Sequence, residues 1–420
     1  MPAQSAERER SSLGDKYFVL GLTAILCFAV LTTWVPSRWP VATAQIATYS
    51  LGLAWIVRQW LNPRPIHGSW LLIPTAMAAA WGPFQLALGW TVYRFATISK
   101  SLDWLACFVV FFLAIQALHG NSNQRLFRQT ILWFGLIISA LSVLQYFTSE
   151  GKIFWVTPSG YGVRVLGPFV NRDHYSVFIE LLLPVAIYKL RRNRHPLLYS
   201  VAAGTLYASG IAGASRAGAI LTTALAIAAT LVVFRRYAVP RPANAAILAA
   251  CLISLTLVVG WEAVWGRLHI PEPFQYRNQL NASSLAMLSV HPWRGFGLGT
   301  WPDVYPAYAT RSDRFLANAA HDDWAQWAVE GGVGLSASML WIFVSSAMRG
   351  FRAPWALGIP AALLHCAVDF PLQVPALSLW FFAMLGAVAA VEFPPNPRVT
   401  RRGRSRPAIW DTQGMSRAHS

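Results

Sequence analysis

The chain has 420 residues and a formal net charge of +17, but Asp, Glu, Lys and Arg make up only 12% of it and hydrophobic residues make up 55%. Soluble domains carry roughly 25% charged residues, so the composition excludes an ordinary soluble protein, whose surface these few charges could not solvate. The basic excess does not indicate nucleic-acid binding either, because Lys and Arg occur in short clusters between apolar runs and not along one face of a domain.

The apolar runs predict an all-α fold, a polytopic transmembrane helical bundle. A helix needs about 20 mostly apolar residues to cross the hydrocarbon core of a bilayer. By that measure the chain has about 12 spans, and the range is about 10–12 because several runs are short or contain Gly and Pro. The predicted spans cover residues 17–34, 42–60, 68–90, 101–119, 130–147, 173–190, 197–213, 217–234, 243–260, 325–346, 355–373 and 375–391.

The distribution of basic residues predicts that both ends of the chain are cytoplasmic, since most of the 34 Lys and Arg residues then fall on inside segments. We expect a cytoplasmic tail over 1–16, a transmembrane domain over 17–392 and a disordered basic cytoplasmic tail over 393–420. The basic clusters also predict contacts with anionic membrane lipids. The four cysteines lie singly inside apolar runs without metal-ligand spacing, so no metal site is predicted.

Two longer polar segments, at about 148–172 and 261–324, break the pattern of short connections and are predicted to be external loops. Long loops on a compact scaffold are usually functional. The larger loop is expected to contain a short helix near 273–290. Its segment HPWRGFGLGTW (291–301) is rich in glycine, but no strand precedes it and no GKS/T follows. The glycines therefore favour tight turns over a phosphate-binding loop.

Polar side chains gather where the smaller loop meets the next span, in GVRVLGPFVNRDHYSVFIE (162–180). Arg164, Asn171 and His174 are candidate substrate-binding residues there. Glu180 falls about two turns inside the span, so it must face the protein interior or a cavity.

Two arginines stand out near the predicted membrane boundary. Arg216 lies in a short external turn, where a guanidinium is costly unless it is paired, so a functional role is the default and snorkelling to the interface is the alternative. Arg277 lies in the larger loop, just before its helix-like stretch. Arginine suits oxyanions because its planar fork binds phosphate or carboxylate through two hydrogen bonds.

His321 is followed directly by Asp322 and Asp323. An imidazole beside carboxylates can be held in one tautomer, which suits a general base. The alternative is that this AHDD segment caps a helix, and both interpretations can hold together. Asp369, at the outer end of a span, could pair with an external arginine in either a structural or a catalytic role. Asp322 and Asp369 are also candidate substrate-binding residues.

By this topology, several candidate residues reach the same outer face. Several arginines and one histidine with few carboxylates suit an anionic, diphosphate-type ligand. A retaining glycosidase pair or a metal cage would need more converging carboxylates. The residues concerned are Arg164, Arg216, Arg277, His321 and Asp369.

Over roughly 160–392 the chain resembles the O-antigen ligase and polymerase family of bacterial membrane glycosyltransferases. The specific part of the resemblance is the pairing of HPWRGFGLGTW with AHDDWAQ inside one long external loop. The resemblance rests on GPFVNRDHYSVF, SRAGA, RNQLNASSLAMLSVHPWRGFGLGTW, AHDDWAQWAVEGGVGL and HCAVDFPLQVPA, in that order.

The resemblance implies a bundle of about 12 helices that acts on the outer face of the cytoplasmic membrane. Such enzymes take a glycan from an undecaprenyl-diphosphate carrier and attach it to lipid A core (ligases) or to another carrier-linked glycan (polymerases). The reaction is thought to invert the anomeric centre and to need no metal or other cofactor. Carried over by motif, Arg216 and Arg277 bind the diphosphate and His321 activates the acceptor hydroxyl. The chain departs from the family in having Asp322 and Asp173 where Asn is common.

Two other functions remain open, a transporter or flippase for lipid-linked sugar and a non-catalytic scaffold of an export complex. A transporter would place charge along a path through the spans and would often show repeated halves. Here charge gathers at one face and no internal repeat is evident. The sequence does not decide between ligase and polymerase.

Overall fold

The computed structural model describes residues 2–160, 165–192, 195–237, 242–259, 265–266, 269, 274–309 and 317–391. Within these residues the chain forms fourteen α-helices, a few 3-10 turns and one small hairpin, in which β1 (Lys152–Ile153) pairs antiparallel with β2 (Thr157–Pro158). The helices are α1 (Pro2–Leu31), α2 (Trp39–Leu61), α3 (Leu72–Ala87), α4 (Arg94–Ala117), α5 (Asn121–Thr148), α6 (Arg172–Lys189), α7 (Pro196–Ala212), α8 (Arg216–Tyr237), α9 (Pro242–Val259), α10 (Phe274–Val290), α11 (Trp301–Val304), α12 (Asp323–Arg352), α13 (Gly358–His365) and α14 (Pro375–Ala389).

The predicted helical fold is confirmed, and each of the twelve apolar runs overlaps one helix. Six of the described helices are long and apolar enough to cross a membrane: α1, α2, α4, α5, α8 and α12. Their outer faces carry large exposed apolar side chains such as Ile46, Ile137 and Ile227, which suit contact with lipid. The short helix predicted near 273–290 is present as α10, and α1 includes the segment predicted as an N-terminal tail. The predicted C-terminal tail, 393–420, lies outside the described residues.

One predicted span is wrong as a continuous helix. The run 355–373 is helical in α13, which has only eight residues, and it ends in a 3-10 turn at Pro371–Gln373. Proline lacks a backbone N–H and keeps the preceding residue out of the α region, and Phe370 accordingly has φ −120° and ψ 49°. This break leaves Asp369 in the connection between α13 and α14.

Helix α6 lies at the centre of the bundle, with every residue from His174 to Ile187 buried. It packs against α7, α8, α13 and α14. Gly358 at the start of α13 lies against the backbone of Glu180 and Leu181, where a Cβ would not fit. The close approach places the connection after α13 beside α6.

The glycine-rich segment packs on a kink in α12. Gly332 has φ +61° within α12, and Val333 N donates to Pro292 O at 2.9 Å across this kink. Gly297 has φ +113° and donates its N–H to Glu330 O at 3.0 Å, with Thr91 and Thr97 filling the space a Cβ would need. These glycines therefore provide tight turns and close backbone packing, as the sequence predicts.

Candidate functional site

His321 and Asp369, predicted from separate segments, contact each other directly. His321 Nδ1 lies 3.2 Å from Asp369 Oδ1, and the Asp369 side chain is 1% exposed while that of His321 is 28% exposed. An ionised carboxylate can only accept hydrogen bonds, so Nδ1 is the donating nitrogen. Nε2 of the neutral ring is then the nitrogen that can accept a proton, which is the arrangement of an oriented general base.

The backbone at His321 is strained. Its φ is +54°, in the left-handed region that residues other than glycine seldom adopt, and such a conformation costs about 1–3 kcal/mol. Asp322 is the N-cap of α12, and its Oδ1 accepts from Ala325 N at 3.0 Å. Capping by AHDD is therefore confirmed. The two interpretations are compatible, because Asp322 makes the cap while His321 binds Asp369.

Asp322 is predicted to bind substrate, and in the structure its side chain caps the start of α12. Burial raises the pKa of the Asp322 carboxyl, while the backbone N–H groups of Ala325 and Trp324 oppose that rise. The side chain is half-buried beside His321. Its role toward substrate stays a prediction.

The Asp369 carboxylate has two further partners on the first turn of α6. His174 Nε2 lies 3.5 Å from Oδ2, and Asn171 Nδ2 donates to the same oxygen at 3.4 Å. Phe370 lies edge-on to both imidazoles, with ring centroids 4.9 Å from His174 and 4.7 Å from His321. Asn171 is also the N-cap of α6, accepting from Asp173 N at 2.8 Å. We call His321, Asp369, His174 and Asn171 the histidine site.

The suggested pairing of Asp369 with an arginine is not found among the described residues, where its partners are two histidines and an asparagine. The physical reason is that the break before Pro371 turns Asp369 toward the first turn of α6. Burial favours the neutral carboxyl, but the hydrogen bond from His321 and the nearby His174 outweigh it and lower the pKa of Asp369. The ionised form is therefore favoured beside His321.

Asp323 connects the start of α12 to the α13–α14 connection, a role that the sequence did not reveal. Its carboxylate accepts from Leu372 N at 2.9 Å and from Gln373 Nε2 at 2.7 Å. Its own N–H donates to Cys366 O at 2.7 Å. These bonds hold His321 and Asp369 in fixed positions relative to each other, because His321 is close in sequence to Asp323 and Asp369 is close in sequence to Leu372.

The two arginines predicted to bind diphosphate lie at helix starts around α6. Arg277, in the first turn of α10, has its Nη2 3.4 Å from Asp173 Oδ2 and is 29% exposed. Arg216 begins α8, whose Gly218 packs against Ser176 of α6. Arg277 thus contacts the first turn of α6, which carries His174, and the helix start that carries Arg216 packs beside α6. Arg164 lies outside the described residues.

Glu180 faces the protein interior, as predicted, and its partner is a histidine that the sequence analysis missed. His365 Nδ1 lies 2.9 Å from Glu180 Oε1, and both side chains are fully buried. The signal was present, since His365 occupies an apolar run in which a polar residue needs a partner. The pair links α6 to α13 beneath the histidine site.

A polar cavity of about 360 Å³ lies between α1, α2, α4 and the start of α14. Its walls include Arg38, Gln45 and Asp103, and Gln45 Nε2 donates to Asp103 Oδ1 at 2.8 Å. Gln373, which holds Asp323, also lines this cavity. The cavity is therefore connected to the segment that carries His321 by a single contact, the one between Gln373 and Asp323.

No three His, Cys, Asp or Glu side chains within the described ranges form a group that could hold a metal ion. Comparison of the chain with protein-family models and with curated proteins found no match. The roles of the site residues stay predictions.

Proposed function

We propose that this protein is a membrane glycosyltransferase that moves a glycan from an undecaprenyl-diphosphate carrier to an acceptor sugar at the outer face of the bacterial cytoplasmic membrane. The observation that carries the proposal is the hydrogen bond between His321 and the buried Asp369. It joins two of the five segments on which the family resemblance rests, and one of them carries the residue that the resemblance implies as the base. The carrier-linked glycan and the acceptor glycan are the implied partners.

The chemistry follows from the tautomer of His321. The acceptor hydroxyl loses its proton to Nε2 of His321 as its oxygen attacks the anomeric carbon. The bond from that carbon to the diphosphate oxygen breaks, and the lipid diphosphate leaves with the electron pair. A single displacement of this kind inverts the anomeric centre. Proton acceptance by a positioned histidine typically contributes about 10²–10⁴-fold to the rate.

Arg277 and Arg216 would stabilise the negative charge that develops on the departing diphosphate. Removing one fixed donor from an oxyanion site costs about 10²–10³-fold elsewhere. The contact of Arg277 with Asp173 positions its guanidinium before substrate arrives. Because the leaving group is already good, the proposal requires no resident cofactor.

The polar cavity beside α2 and α4 suits a sugar, since Gln45, Asp103 and Arg38 offer both donors and acceptors. We assign it to the acceptor glycan, because Gln373 connects its wall to Asp323. An exchange of Asp103 for Asn should then raise KM for the acceptor more than it lowers kcat, because the group contacts the acceptor away from the reacting atoms.

The decisive experiment supplies the purified chain in bilayers with a carrier-linked oligosaccharide, alone and with lipid A core. A ladder of products without core indicates a polymerase, and a single core-linked product indicates a ligase. His321→Ala should abolish both products, while His119→Ala, which alters an exposed histidine elsewhere, should leave them intact. Normal product from His321→Ala would overturn the proposal.

Transport of lipid-linked sugar is a second candidate, favoured by one observation. The buried Glu180–His365 pair lies in the interior of the bundle, where ionisable groups often serve ion-coupled movement. This candidate predicts that carrier-linked substrate crosses a vesicle membrane without a new glycosidic bond. Glu180→Gln should stop that movement if transport is the function.

A further inference from the structure

Gln326 connects the segment that carries His321 to a buried carboxyl group that the proposed reaction does not use. It lies at the end of the first turn of α12, and its side chain is 4% exposed. Its Oε1 accepts from Ala320 N at 3.2 Å, and its Nε2 donates to Glu330 Oε1 at 2.9 Å. Because the Ala320 N–H can only donate, these contacts fix which end of the amide faces which partner.

Glu330 holds the amide of Gln326 from the other side. Its buried carboxyl group accepts from two backbone N–H groups of the glycine-rich segment, from Gly299 N at 2.8 Å and from Trp301 N at 3.4 Å. Gly297 N donates to the backbone oxygen of the same glutamate at 3.0 Å. The position of Gln326 therefore depends on how the glycine-rich segment packs on α12.

The backbone on both sides of His321 is held by hydrogen bonds. Before it, Ala320 is fully buried, and Gln326 supplies the acceptor that a buried N–H requires. After it, Asp323 N donates to Cys366 O at 2.7 Å. Between these two bonds His321 has φ +54°. A left-handed conformation at a residue other than glycine persists only where the surrounding structure holds it.

We propose that Gln326 is a positioning residue for His321. By accepting from the Ala320 N–H, it keeps the histidine backbone in the conformation from which Nδ1 reaches Asp369 Oδ1 at 3.2 Å. Loss of this bond lets the backbone leave the left-handed region, and the imidazole, which is 28% exposed, then exchanges the carboxylate for water. In water either ring nitrogen can carry the proton. Gln326 and Glu330 thus connect the packing of the glycine-rich segment to the tautomer of His321.

This inference rests on the proposed function for its effect on the rate, whereas the tautomer of His321 can be measured without any substrate. A histidine that is no longer oriented should lower kcat and leave KM for the acceptor nearly unchanged, because the lost interaction acts in the transition state. The loss in kcat should be about 3–10-fold, the size expected for one hydrogen bond.

The test compares Gln326→Met with Gln124→Met in purified protein in bilayers. Methionine keeps the length of the side chain and removes its hydrogen bonds. Gln124 is a matched control, because it is 3% exposed, its Nε2 donates to Ala387 O at 2.6 Å, and it lies in the first turn of α5, near the end of α6. NMR of labelled histidine nitrogens at alkaline pH, where free imidazoles are neutral, reports which nitrogen carries the proton. A sample of His321→Gln identifies the signals of His321.

The wild type and Gln124→Met should show His321 protonated at Nδ1 alone, whereas Gln326→Met should show both tautomers. A single Nδ1–H tautomer in folded Gln326→Met would overturn the inference. If that variant does not fold, Gln326→Asn takes its place, since its side chain is one methylene too short to reach both Ala320 and Glu330, and the same two outcomes decide. The expected tautomers in a wild type that transfers no glycan would refute the proposed function and support the positioning role.

Discussion

The two ends of the helical bundle are both rich in basic residues, yet they suit different chemistry. At the histidine site both imidazoles, those of His321 and His174, lie beside the Asp369 carboxylate, and the nearby Arg277 lies beside Asp173. At the other end of the bundle, near the end of α6, a cavity of about 470 Å³ has six basic residues among its described lining. We call it the basic cavity, and these residues are Arg125, Arg128, Lys189, Arg191, His195 and Arg352. A histidine beside a buried carboxylate is oriented and can exchange a proton, whereas arginine and lysine side chains stay charged at neutral pH. The pairing of a titratable base with an acid, more than the number of arginines, therefore marks the candidate reactive site.

The largest effect on glycan transfer is expected from His321→Ala, at the histidine site. We predict a loss of glycan transfer of about 10²–10⁴-fold, because the proton acceptor is removed. The measurement is product formation from a carrier-linked oligosaccharide by purified protein. His119→Ala is the control, and a similar loss in both variants would refute a specific role for His321.

Arg277→Gln should lower transfer by about 10²–10³-fold, since one donor to the leaving diphosphate is lost. The appropriate measurement is kcat, because the diphosphate gains additional negative charge as its bond to the sugar breaks. Arg94→Gln changes an exposed arginine at the start of α4 and should leave kcat unaltered. An unchanged kcat in Arg277→Gln would contradict stabilisation of the leaving diphosphate by this residue.

Asp369→Asn tests whether the carboxylate acts through His321. The amide retains the shape but loses the charge that holds Nδ1–H. We expect transfer to fall about 10–100-fold, the size of effect found for the outer-shell partners of metal-bound histidines. The pH profile of transfer should shift as well, which a purely structural change would not cause. Asp303→Asn, at an exposed position in α11, serves as the control for both measurements.

The histidine-site end also depends on the turn that packs against α12. Gly297→Ala should reduce the apparent stability by about 1–3 kcal/mol, because φ is +113° and Thr91 occupies the space of the new Cβ. A thermal-unfolding scan in detergent measures the effect. Gly68→Ala should be neutral, since nothing lies near its Cβ position, and equal midpoints for both variants would contradict the argument.

The smallest effect on transfer is expected from substitutions at the basic cavity. Arg125→Gln/Arg191→Gln should leave transfer within about twofold, because the basic cavity lies about 24 Å from the histidine site. The same transfer assay with the same substrate checks this. A large loss of transfer would mean that the basic cavity and the histidine site are coupled, which would contradict the distinction between the two ends.

Apolar periodicity and length were sufficient to predict the helices, and α6 and α7 were located within one residue of their ends. The break after α13 was missed, because a proline within an apolar run can either kink or end a helix, and tertiary packing decides which. Residue chemistry marked His321, His174 and Asp369 as candidates, but did not show that they share one contact network.

Partners that are distant in sequence could not be predicted. Nothing in the separate segments distinguishes an arginine from a histidine as the neighbour of Asp369, and the choice follows from how α13 packs on α6 at Gly358. The basic clusters were interpreted as signals of topology, because their convergence on one cavity requires three-dimensional packing. Asp323 was assigned with the capping segment, whereas its carboxylate binds Gln373.

The most direct test of whether Asp369 acts through His321 is a double-mutant cycle on transfer activity. It uses His321→Ala, Asp369→Asn and the variant that combines them. If Asp369 acts by orienting His321, the combined variant should be no slower than His321→Ala alone, since residues that act as a unit are not additive. If the two losses multiply, the carboxylate works independently of the imidazole, and the oriented general base at the centre of this account is wrong.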